Sequence, residues 1–333
     1  MSEIMVDIVC LTYNHEKYIA KTLEGFLSQK TNFKYRIIVH DDASTDNTAS
    51  VIKEYAEKYP EMIFPIYQTV NQYSQRISIS QRFIAPIINS KYVAICEGDD
   101  YWVDENKLQM QVDALENHPN CYMCTHKVQA VYEDETPFDK TYPSTPYAEG
   151  EVSSEEVIGG GFIFHTSSYF FRAKEFLEYY LNKPEFSNIA LVGDLSYLLY
   201  FANKGNVYYI DKTMSHYRYG VPSSFSAKQA KNVFSKGFSE HQRRNFEMLL
   251  AFNEYSNGKF WNVLLRRMSR FKFKALIYDR KAIEFFKVKE NKVYFDDLSL
   301  ALKLYVCVGV VCPALTDYIL RKFVSLKFEK RGY

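Results

Sequence analysis

The chain has 333 residues, of which 47% are hydrophobic and 24% are charged, and its formal net charge at pH 7 is +1. These counts exclude the biased composition of a disordered chain and describe an ordinary globular protein, long enough for one large domain and an appendage. The six cysteines lie mostly in apolar runs without disulfide-framework spacing. Since no signal peptide is recognisable at the start, we expect a protein of the reducing cytoplasm.

The near-neutral net charge hides an uneven distribution along the chain. Residues 259–333 hold 17 Lys and Arg against 7 Asp and Glu, which leaves 24 against 33 for residues 1–258. The sequence therefore predicts a basic tail on an acidic body.

Strand and helix patterns alternate along the first hundred residues. Short, partly β-branched apolar runs predict buried strands over residues 6–11, 35–40, 63–67 and 92–96. Apolar residues at helical spacing predict helices between these strands, the third over residues 77–88. This alternation implies parallel pairing in an α/β sheet, with the ligand-facing loops along one edge.

Polar side chains follow three of these strands. Thr-Tyr-Asn-His at residues 12–15 follows the first, Asp41 and Asp42 follow the second, and Glu-Gly-Asp-Asp at residues 97–100 follows the fourth. Because open α/β sheets bind ligands at the carboxyl ends of their strands, we expect a nucleotide site here. The alternative is that Asp41 and Asp46 are only turn and helix-capping residues.

Three carboxylates crowd the end of the fourth strand, at residues 97, 99 and 100. A cation offsets such crowding most easily, and Mg²⁺ or Mn²⁺ typically takes one or two carboxylates together with substrate phosphates. The chain contains neither G-x-G-x-x-G nor a P-loop motif, so a metal is expected to hold any phosphate-bearing ligand. The alternative is an acidic turn that caps the next helix.

Beyond residue 102 the patterns predict a helix over residues 105–117, a strand from residue 121 and a mobile excursion over residues 133–156. The strand begins with C-x-x-C and a histidine, but strand alternation divides these side chains between two faces, so zinc is not expected. The glycine run at residues 159–161 predicts either an acceptor pocket lined by His165 and Ser167 or a flexible turn. Asp194 follows a glycine at a predicted helix start, where capping alone explains it.

The ordered motifs resemble the signatures of the GT-A-fold family 2 glycosyltransferases. They are V-C-L-T-Y-N at residues 9–14, H-D-D-A-S-T-D-N-T at 40–48, C-E-G-D-D-Y-W at 96–102 and K-L-Q-M-Q at 107–111. The resemblance implies a Rossmann-like mixed α/β sheet with flanking helices. It also implies an inverting transferase that moves a sugar from a nucleotide donor, usually a UDP-sugar, to an acceptor hydroxyl with Mg²⁺ or Mn²⁺.

The resemblance extends to individual residues. The implied nucleotide-sugar site comprises Thr12, Tyr13, Asn14, Asp41, Asp42, Glu97, Gly98, Asp99 and Asp100. The metal is expected at Asp99, with His216 as a further ligand, and Asp194 resembles the catalytic base of the family. Acceptor contacts are expected from Trp102, His165 and Ser167.

Two positions depart from the family pattern. Glu97 stands where an aspartate is more usual, and its longer arm also suits contact with the donor ribose or with a metal-bound water. His216 precedes the Tyr-Arg pair at residues 217–218 instead of following it, so a packed strand histidine is an equal alternative to a metal ligand.

We expect a GT-A domain over residues 1–226, with a nucleotide-sugar half (1–102) and an acceptor half (103–226), and then a basic, mainly helical region over 227–333. The longest apolar run of that region, about 12 residues, is short of the ~20 that span a bilayer. The region is expected to touch a membrane surface, to dock a partner subunit or to pack on the acidic body.

These expectations describe a metal-dependent transferase of surface-polysaccharide biosynthesis, acting on a glycan or lipid-linked glycan at the inner face of the membrane. No nucleic-acid partner is expected, and a homo-oligomer is one form of assembly left open. A nucleotidyltransferase would need a basic, glycine-rich triphosphate loop, which the chain lacks. A catalytically silent scaffold or nucleotide-sugar-binding subunit is the alternative that the sequence leaves open.

Overall fold

The computed structural model describes residues 3–160, 164–189, 193–221, 236–319 and 322. The chain divides into two compact units, here called the first unit (Met1–Pro184 with Val192–Lys228) and the second unit (Glu185–Leu191 with Gln229–Tyr333). The expected domain boundary after residue 226 lies outside the described residues.

Within its described residues, the first unit contains one mixed sheet of ten strands. The strands of the amino-terminal half are β1 (Ile4–Thr12), β2 (Lys34–Asp41), β3 (Ile63–Tyr67), β4 (Tyr92–Ile95) and β5 (Tyr101–Trp102). The later strands are β6 (Cys121–Val131), β7 (Pro137–Tyr142), β8 (Gly150–Val152), β9 (Phe170–Arg172) and β10 (Asn206–Arg218). Their order is β3-β2-β1-β4-β9-β6-β10-β5, with β7 beside β6 and β8 beside β10.

The sheet combines two groups of parallel strands. Strands β1 to β4 pair in parallel, and so do β6 and β10. Between the groups, β9 runs antiparallel to both β4 and β6. The helices of this unit are α1 (Ile19–Leu27), α2 (Thr48–Lys58), α3 (Lys107–Asn117), α4 (Ser154–Gly160), α5 (Ala173–Leu181) and, after α6 (Glu185–Ile189) of the second unit, α7 (Asp194–Lys204). This is the predicted mixed α/β sheet with flanking helices.

The core explains why the strand ends are well placed. Val6, Ile8 and Cys10 of β1 are completely buried, as the continuous apolar run of a central parallel strand predicts. They pack with Ile19 and Leu23 of α1, which recur at helical spacing on one face. A packed core of this kind fixes the carboxyl ends of β1, β2 and β4 relative to one another.

Three segments differ from the sequence prediction. Residues 77–88, predicted as one helix, form a π-helical turn (Ser80–Ile84) and a 3₁₀ turn (Ala85–Ile87), because Pro86 lacks an N–H and interrupts the α-helical pattern. Residues 133–156 include strands β7 and β8, which pair with β6 and β10. Gly159 and Gly160 end helix α4 instead of forming a loop, and Gly161 lies outside the described residues.

The second unit is helical in its described residues, as predicted for the carboxyl-terminal region. Besides α6 it contains α8 (Lys236–Tyr255), α9 (Trp261–Tyr278), α10 (Glu284–Lys287), α11 (Lys292–Asp296) and α12 (Leu300–Val311). Its core includes the buried rings of Phe186, Phe252 and Phe260. No described helix is both long and apolar enough to cross a membrane.

Candidate active site

The loops after β1 and β2 are joined to each other at the carboxyl edge of the sheet. Asn14 adopts a left-handed backbone conformation (φ 57°), its backbone N–H donates to Ser44 Oγ (2.9 Å), and its Oδ1 accepts from the Thr45 N–H (2.8 Å). The Asp42 N–H donates to the carbonyl of Thr12 (3.0 Å). Asn14 therefore holds the two loops together, while the neighbouring Tyr13 side chain is 41% exposed.

The expected nucleotide carboxylates Asp41 and Asp42 are buried and already accept hydrogen bonds within the protein. Asp41 accepts from the backbone N–H and the hydroxyl of Ser44. Asp42 accepts from the backbone N–H groups of Gln72 (2.7 Å) and Tyr73 (3.0 Å). Both thus order loops of the protein, and since each carboxylate oxygen has two lone pairs, capacity to accept from a nucleotide remains.

Asp46 has the capping role that the sequence left open. Its Oδ1 accepts from the backbone N–H of Thr48 (3.0 Å), the first residue of α2, and its Oδ2 accepts from the Glu16 N–H (3.1 Å). These bonds stabilise the start of α2 and join it to the loop after β1.

The acidic loop, residues 97–100, lies against the loop after β1. The Gly98 N–H donates to the Leu11 carbonyl (2.9 Å), and a Cβ on Gly98 would lie only 2.7 Å from Thr12 Oγ1 and 2.9 Å from His15 Nδ1. Only glycine allows this approach without displacement of a neighbour. Thr12 Oγ1 and His15 Nδ1 are themselves buried and have no hydrogen-bond partner in the described structure.

Arg218 holds the acidic loop from the other side, a role that the sequence reasoning missed. Its backbone N–H donates to Asp100 Oδ1 (3.1 Å) and its Nη1 to the Asp99 carbonyl (2.6 Å). The buried guanidinium lies near the rings of Tyr18 (5.0 Å) and Tyr101 (4.4 Å). The available signal was an arginine at the last position of a strand, directly after Tyr217.

The electrostatics of the loop disfavour further negative charge. Burial, followed by the charges of Asp99 and Asp194, raises the pKa of Glu97 to about 8. Burial, followed by Asp99 and Glu97, also raises the pKa of Asp100 well above its ordinary value. The Asp100 Oδ2 atom is buried without a hydrogen-bond partner in the described structure. Carboxylates in this state are suited to a cation.

The residues fit a divalent cation that completes its coordination with ligand phosphates. The described residues include no group of three or more His, Cys, Asp or Glu side chains that could hold a metal alone. Mg²⁺ and Mn²⁺ need fewer protein ligands when phosphates and waters supply the rest. Glu97 and Asp99 offer carboxylate oxygens for this purpose, and His15 Nε2 lies 3.8 Å from Asp99 Oδ2.

His216, expected as a metal ligand, lies against Tyr101. Its Nδ1 is 3.0 Å from the Tyr101 hydroxyl, and the two rings meet edge to face. This contact corresponds to the packed strand histidine that was the alternative. His15, which the sequence reasoning did not single out, is the histidine beside Asp99.

The expected acceptor residues differ in accessibility. His165 Nδ1 is 3.7 Å from Asp100 Oδ2, and burial followed by the charge of Lys140 lowers the pKa of His165 to about 3, so its imidazole is neutral. Ser167 is fully buried, and its hydroxyl is 2.9 Å from that of Ser215. Of the pair, His165 is therefore the better placed for a ligand.

Trp102 lies in the core, which argues against its expected acceptor contact. It is 3% exposed, its ring packs edge to face on Phe26 (4.6 Å), and Lys107 Nζ lies 3.8 Å from the ring centre. The burial of Trp102 follows from strand alternation and from the close approach of α1, whose Gly25 faces the Trp102 backbone.

Asp194 begins helix α7 and is near the acidic loop. Its charge contributes to the raised pKa of Glu97, and its own pKa is raised by burial. A carboxylate at a helix start is also stabilised by the helix dipole. Asp194 is thus a half-buried acid near the expected metal-binding carboxylates, and its raised pKa makes it a stronger proton acceptor than an ordinary aspartate.

The family model described as Glycosyl transferase family 2 matches residues 7–177, slightly more than half of the chain. The chain belongs to this family. The matched residues include the loops after β1, β2 and β4, which contain the motifs. The match therefore confirms the family resemblance that the motifs indicated.

Relatives of this family 2 member are found among bacterial proteins. Uncharacterized protein Rv1520 of Mycobacterium tuberculosis is 34% identical over 218 residues, 64% of this chain and 58% of that protein. The dTDP-rhamnosyl transferase RfbG of Shigella flexneri is 33% identical over 114 residues, 33% of this chain and 38% of RfbG. The matches therefore cover less than two thirds of these relatives' length.

A solved structure shares the fold. TarS 1–349 of S. aureus, in complex with UDP-GlcNAc, matches with a TM-score of 0.59 and 13% identity, over 98% of this chain and 92% of that one. At such low identity the likeness concerns the fold alone, and it confirms the GT-A fold class expected from the motifs.

Proposed function

We propose that this family 2 glycosyltransferase moves a sugar, with inversion, from a UDP-sugar to a hydroxyl of a glycan or lipid-linked glycan acceptor in surface-polysaccharide biosynthesis. The observation that carries the proposal is the convergence of three loops around three acids, of which Asp99 and Asp100 are buried and Glu97 is more exposed, near Asp194. The complex of TarS with UDP-GlcNAc and the naming of RfbG as a dTDP-rhamnosyl transferase support a nucleotide-sugar donor.

We assign donor binding to the carboxyl edge of β1, β2 and β4. Thr12, Tyr13, Asp41 and Asp42 contact the nucleotide, and Asn14 keeps their loops together. Gly98 permits the acidic loop to lie against Thr12, so the base and the diphosphate reach adjacent surfaces. Asp99, with Glu97, would hold Mn²⁺ or Mg²⁺ near the diphosphate, where such a cation would supply positive charge to stabilise the leaving phosphate.

Asp194 is the proposed catalytic base. Direct inversion needs one carboxylate, within hydrogen-bond reach of the acceptor hydroxyl, to accept its proton as the new glycosidic bond forms. Burial raises the pKa of Asp194 above its ordinary value, which strengthens it as a proton acceptor. Its position beside the acidic loop brings the acceptor hydroxyl and the donor sugar to the same place.

The acceptor side of the proposal rests on His165. A neutral imidazole beside Asp100 is able to exchange hydrogen bonds with sugar hydroxyls, and the ring of Tyr217 lies 4.1 Å from it. A lipid-linked acceptor would place the enzyme at the inner face of the cell membrane as a peripheral protein. A silent scaffold subunit remains the competing function, because the same residues bind a donor without transfer.

The experiment is release of nucleoside diphosphate from a panel of UDP-, dTDP- and GDP-sugars with Mn²⁺, for the parent chain and two variants. Asp194→Asn should keep donor binding and lower turnover by at least about 10²-fold, as expected for loss of a general base. Asp113→Asn, at an exposed position of α3, is the control and should behave as the parent. Donor binding without release of diphosphate from any donor would support the scaffold instead.

A further inference from the structure

His15 lies in the candidate active site, and neither of its ring nitrogens makes a hydrogen bond within the described residues. The Nδ1 atom is buried and has no partner. The Nε2 atom lies 3.8 Å from Asp99 Oδ2, which exceeds the length of a hydrogen bond. The two side chains are only 13% and 12% exposed. Because polar groups that are withdrawn from water are normally paired, this arrangement indicates a further partner.

The backbone of His15 is held firmly in the loop after β1. Its N–H donates to Thr48 Oγ1 (2.8 Å), and its carbonyl accepts from the N–H groups of Tyr18 and Ile19 (2.9 Å each). The preceding residue, Asn14, joins this loop to the loop after β2. These contacts fix residue 15 beside the acidic loop and involve none of its side-chain atoms.

Polar atoms without partners occur beside both chain neighbours of Asp99. A Cβ on Gly98 would lie 2.9 Å from His15 Nδ1 and 2.7 Å from Thr12 Oγ1, and the Thr12 hydroxyl is also buried without a partner in the part of the chain that the structure describes. Asp100 Oδ2, on the other side, is likewise buried and has no hydrogen bond there. A bound ligand at Asp99 would supply contacts that the described protein groups do not.

The separation between His15 Nε2 and Asp99 Oδ2 suits two ligands of one cation. Two donor atoms that each lie about 2.2 Å from an ion are about 3.1 Å apart when they subtend a right angle, and about 4.4 Å apart when they lie on opposite sides of it. The observed 3.8 Å falls between these limits. A direct charged hydrogen bond would instead bring the two atoms to about 2.7–2.9 Å.

A nitrogen ligand changes which cation the site prefers. Mg²⁺ is bound through oxygen and gives up its waters reluctantly, whereas imidazole is a good ligand for transition metals. Asp99 and the phosphates of a donor offer oxygen alone. The addition of the His15 imidazole therefore favours Mn²⁺ over Mg²⁺, and Co²⁺ over Mn²⁺.

We propose that His15 Nε2 and Asp99 together bind the divalent cation of the nucleotide donor, and that His15 makes the site prefer Mn²⁺ to Mg²⁺. The inference rests on the proposed donor site and adds a nitrogen ligand and a metal preference to it. It assigns to His15 the part that was expected of His216, whose Nδ1 lies 3.0 Å from the Tyr101 hydroxyl.

The direct test is electron spin-echo envelope modulation of Mn²⁺ bound with UDP to the full chain, at about pH 8 because imidazole ligates metal in its neutral form. We expect modulation from a coordinated nitrogen in the parent. His15→Leu and His15→Gln should both lose it, while His118→Gln, at a histidine that contacts Glu151, should keep it. A parent spectrum without coordinated nitrogen overturns the inference, as does a nitrogen signal that His216→Gln removes and His15→Leu retains.

Calorimetry of UDP binding separates ligation from a structural role. His15→Leu should weaken binding at least about tenfold with Mn²⁺, by less than about threefold with Mg²⁺, and not at all in EDTA. His15→Gln, which offers an oxygen in place of the nitrogen, should retain the binding that Mg²⁺ supports. Equal losses in Mn²⁺, Mg²⁺ and EDTA would mean that His15 contacts the phosphates or supports the loop, and the inference would be wrong.

These measurements distinguish failure of the inference from failure of the proposed function. A parent chain that does not bind UDP with Mn²⁺ would reject both. Binding without coordinated nitrogen rejects the ligand assignment alone. Coordinated nitrogen that depends on His15, in a chain that releases no nucleoside diphosphate from any donor, supports the assignment and rejects the transferase. Circular dichroism establishes that each variant is folded, as expected because residue 15 is anchored through its backbone.

Discussion

Gly98 lies in the candidate active site at a position with too little space for a side chain. A Cβ at this position would lie 2.7 Å from Thr12 Oγ1, 2.8 Å from Thr12 Cβ and 2.9 Å from His15 Nδ1. Real Cβ atoms do not approach so closely, so Gly98→Ala should push the acidic loop away from the loop after β1.

We expect Gly98→Ala to weaken UDP binding in the presence of Mn²⁺ by roughly tenfold or more, because the loops that hold the base and the diphosphate separate. Calorimetry measures this change. Gly309→Ala is the control, since its added Cβ would make ordinary contacts of 3.4 Å or more within the second unit. Unchanged affinity in Gly98→Ala would mean that the loop adjusts freely.

A substitution of Arg218 tests whether β10 holds the acidic loop in position. Lysine has one ammonium group and cannot reproduce the contact of Nη1 with the Asp99 carbonyl together with the packing between Tyr18 and Tyr101. Arg218→Lys should therefore raise the Kd for UDP with Mn²⁺ several-fold, while Arg244→Lys, at an exposed arginine of α8, should leave it unchanged. A parent-like Kd in Arg218→Lys would show that β10 does not position the loop.

At the residue scale, the sequence indicated most residues of the proposed donor site. The acids and Thr12 follow apolar runs whose strand character is local, and parallel pairing then brings their loops to one edge. The place of His15 beside Asp99 and the role of Arg218 were missed because both depend on contacts between residues distant in the chain, such as Arg218 with Asp99. The burial of Trp102, which disfavours its expected acceptor contact, was not foreseen because an aromatic residue after an acidic motif gives no local sign of which face it occupies.

At the scale of elements, local patterns identified the strands and failed where pairing partners decide the structure. The apolar runs of β1, β2 and β4 were predicted because burial on both faces leaves a continuous signal. Strand β7 was not predicted, since it begins with a proline, half of its residues are polar, and its extended form depends on pairing with β6.

Helix α3 contains a buried lysine that makes the stability of the fold depend on pH. Lys107 Nζ donates to Gln111 Oε1 (2.6 Å), and Gln111 Nε2 donates to the Ser168 carbonyl (2.9 Å). Burial lowers the pKa of Lys107 from 10.5 to about 7. Between these two values the unfolded chain retains the proton that the folded chain releases, so folding is favoured progressively as pH rises through this range.

Lys107→Met should remove this dependence. The free energy of unfolding of the parent, relative to the variant, should increase from about pH 7 to about pH 10, because only the parent gains from deprotonation in the folded state. Urea titrations at several pH values measure the difference. Lys174→Met, at an exposed lysine of α5, should show no such trend, and a flat difference for Lys107→Met would mean that Lys107 stays charged over the face of Trp102.

The distribution of charge over the whole molecule bears on how an anionic donor enters. Residues 1–258 carry 24 Lys and Arg against 33 Asp and Glu, and the candidate site within them adds three crowded carboxylates. A nucleoside diphosphate should therefore meet an unfavourable potential in the first unit unless a cation accompanies it. Uridine, which carries no charge, should not meet this unfavourable potential.

The corresponding prediction compares UDP with uridine, each in Mn²⁺ and in EDTA. UDP should bind at least about tenfold more tightly with Mn²⁺, because the cation joins its phosphates to Asp99, whereas uridine should bind equally in both. Asp99→Asn should reduce the Mn²⁺ advantage for UDP and leave uridine unchanged, while Asp113→Asn should change neither. Equal affinities for UDP in Mn²⁺ and EDTA would show that protein groups alone offset the diphosphate charge. The acidic loop would then need another role, since the buried Asp99 and Asp100, crowded with Glu97, otherwise cost stability without benefit.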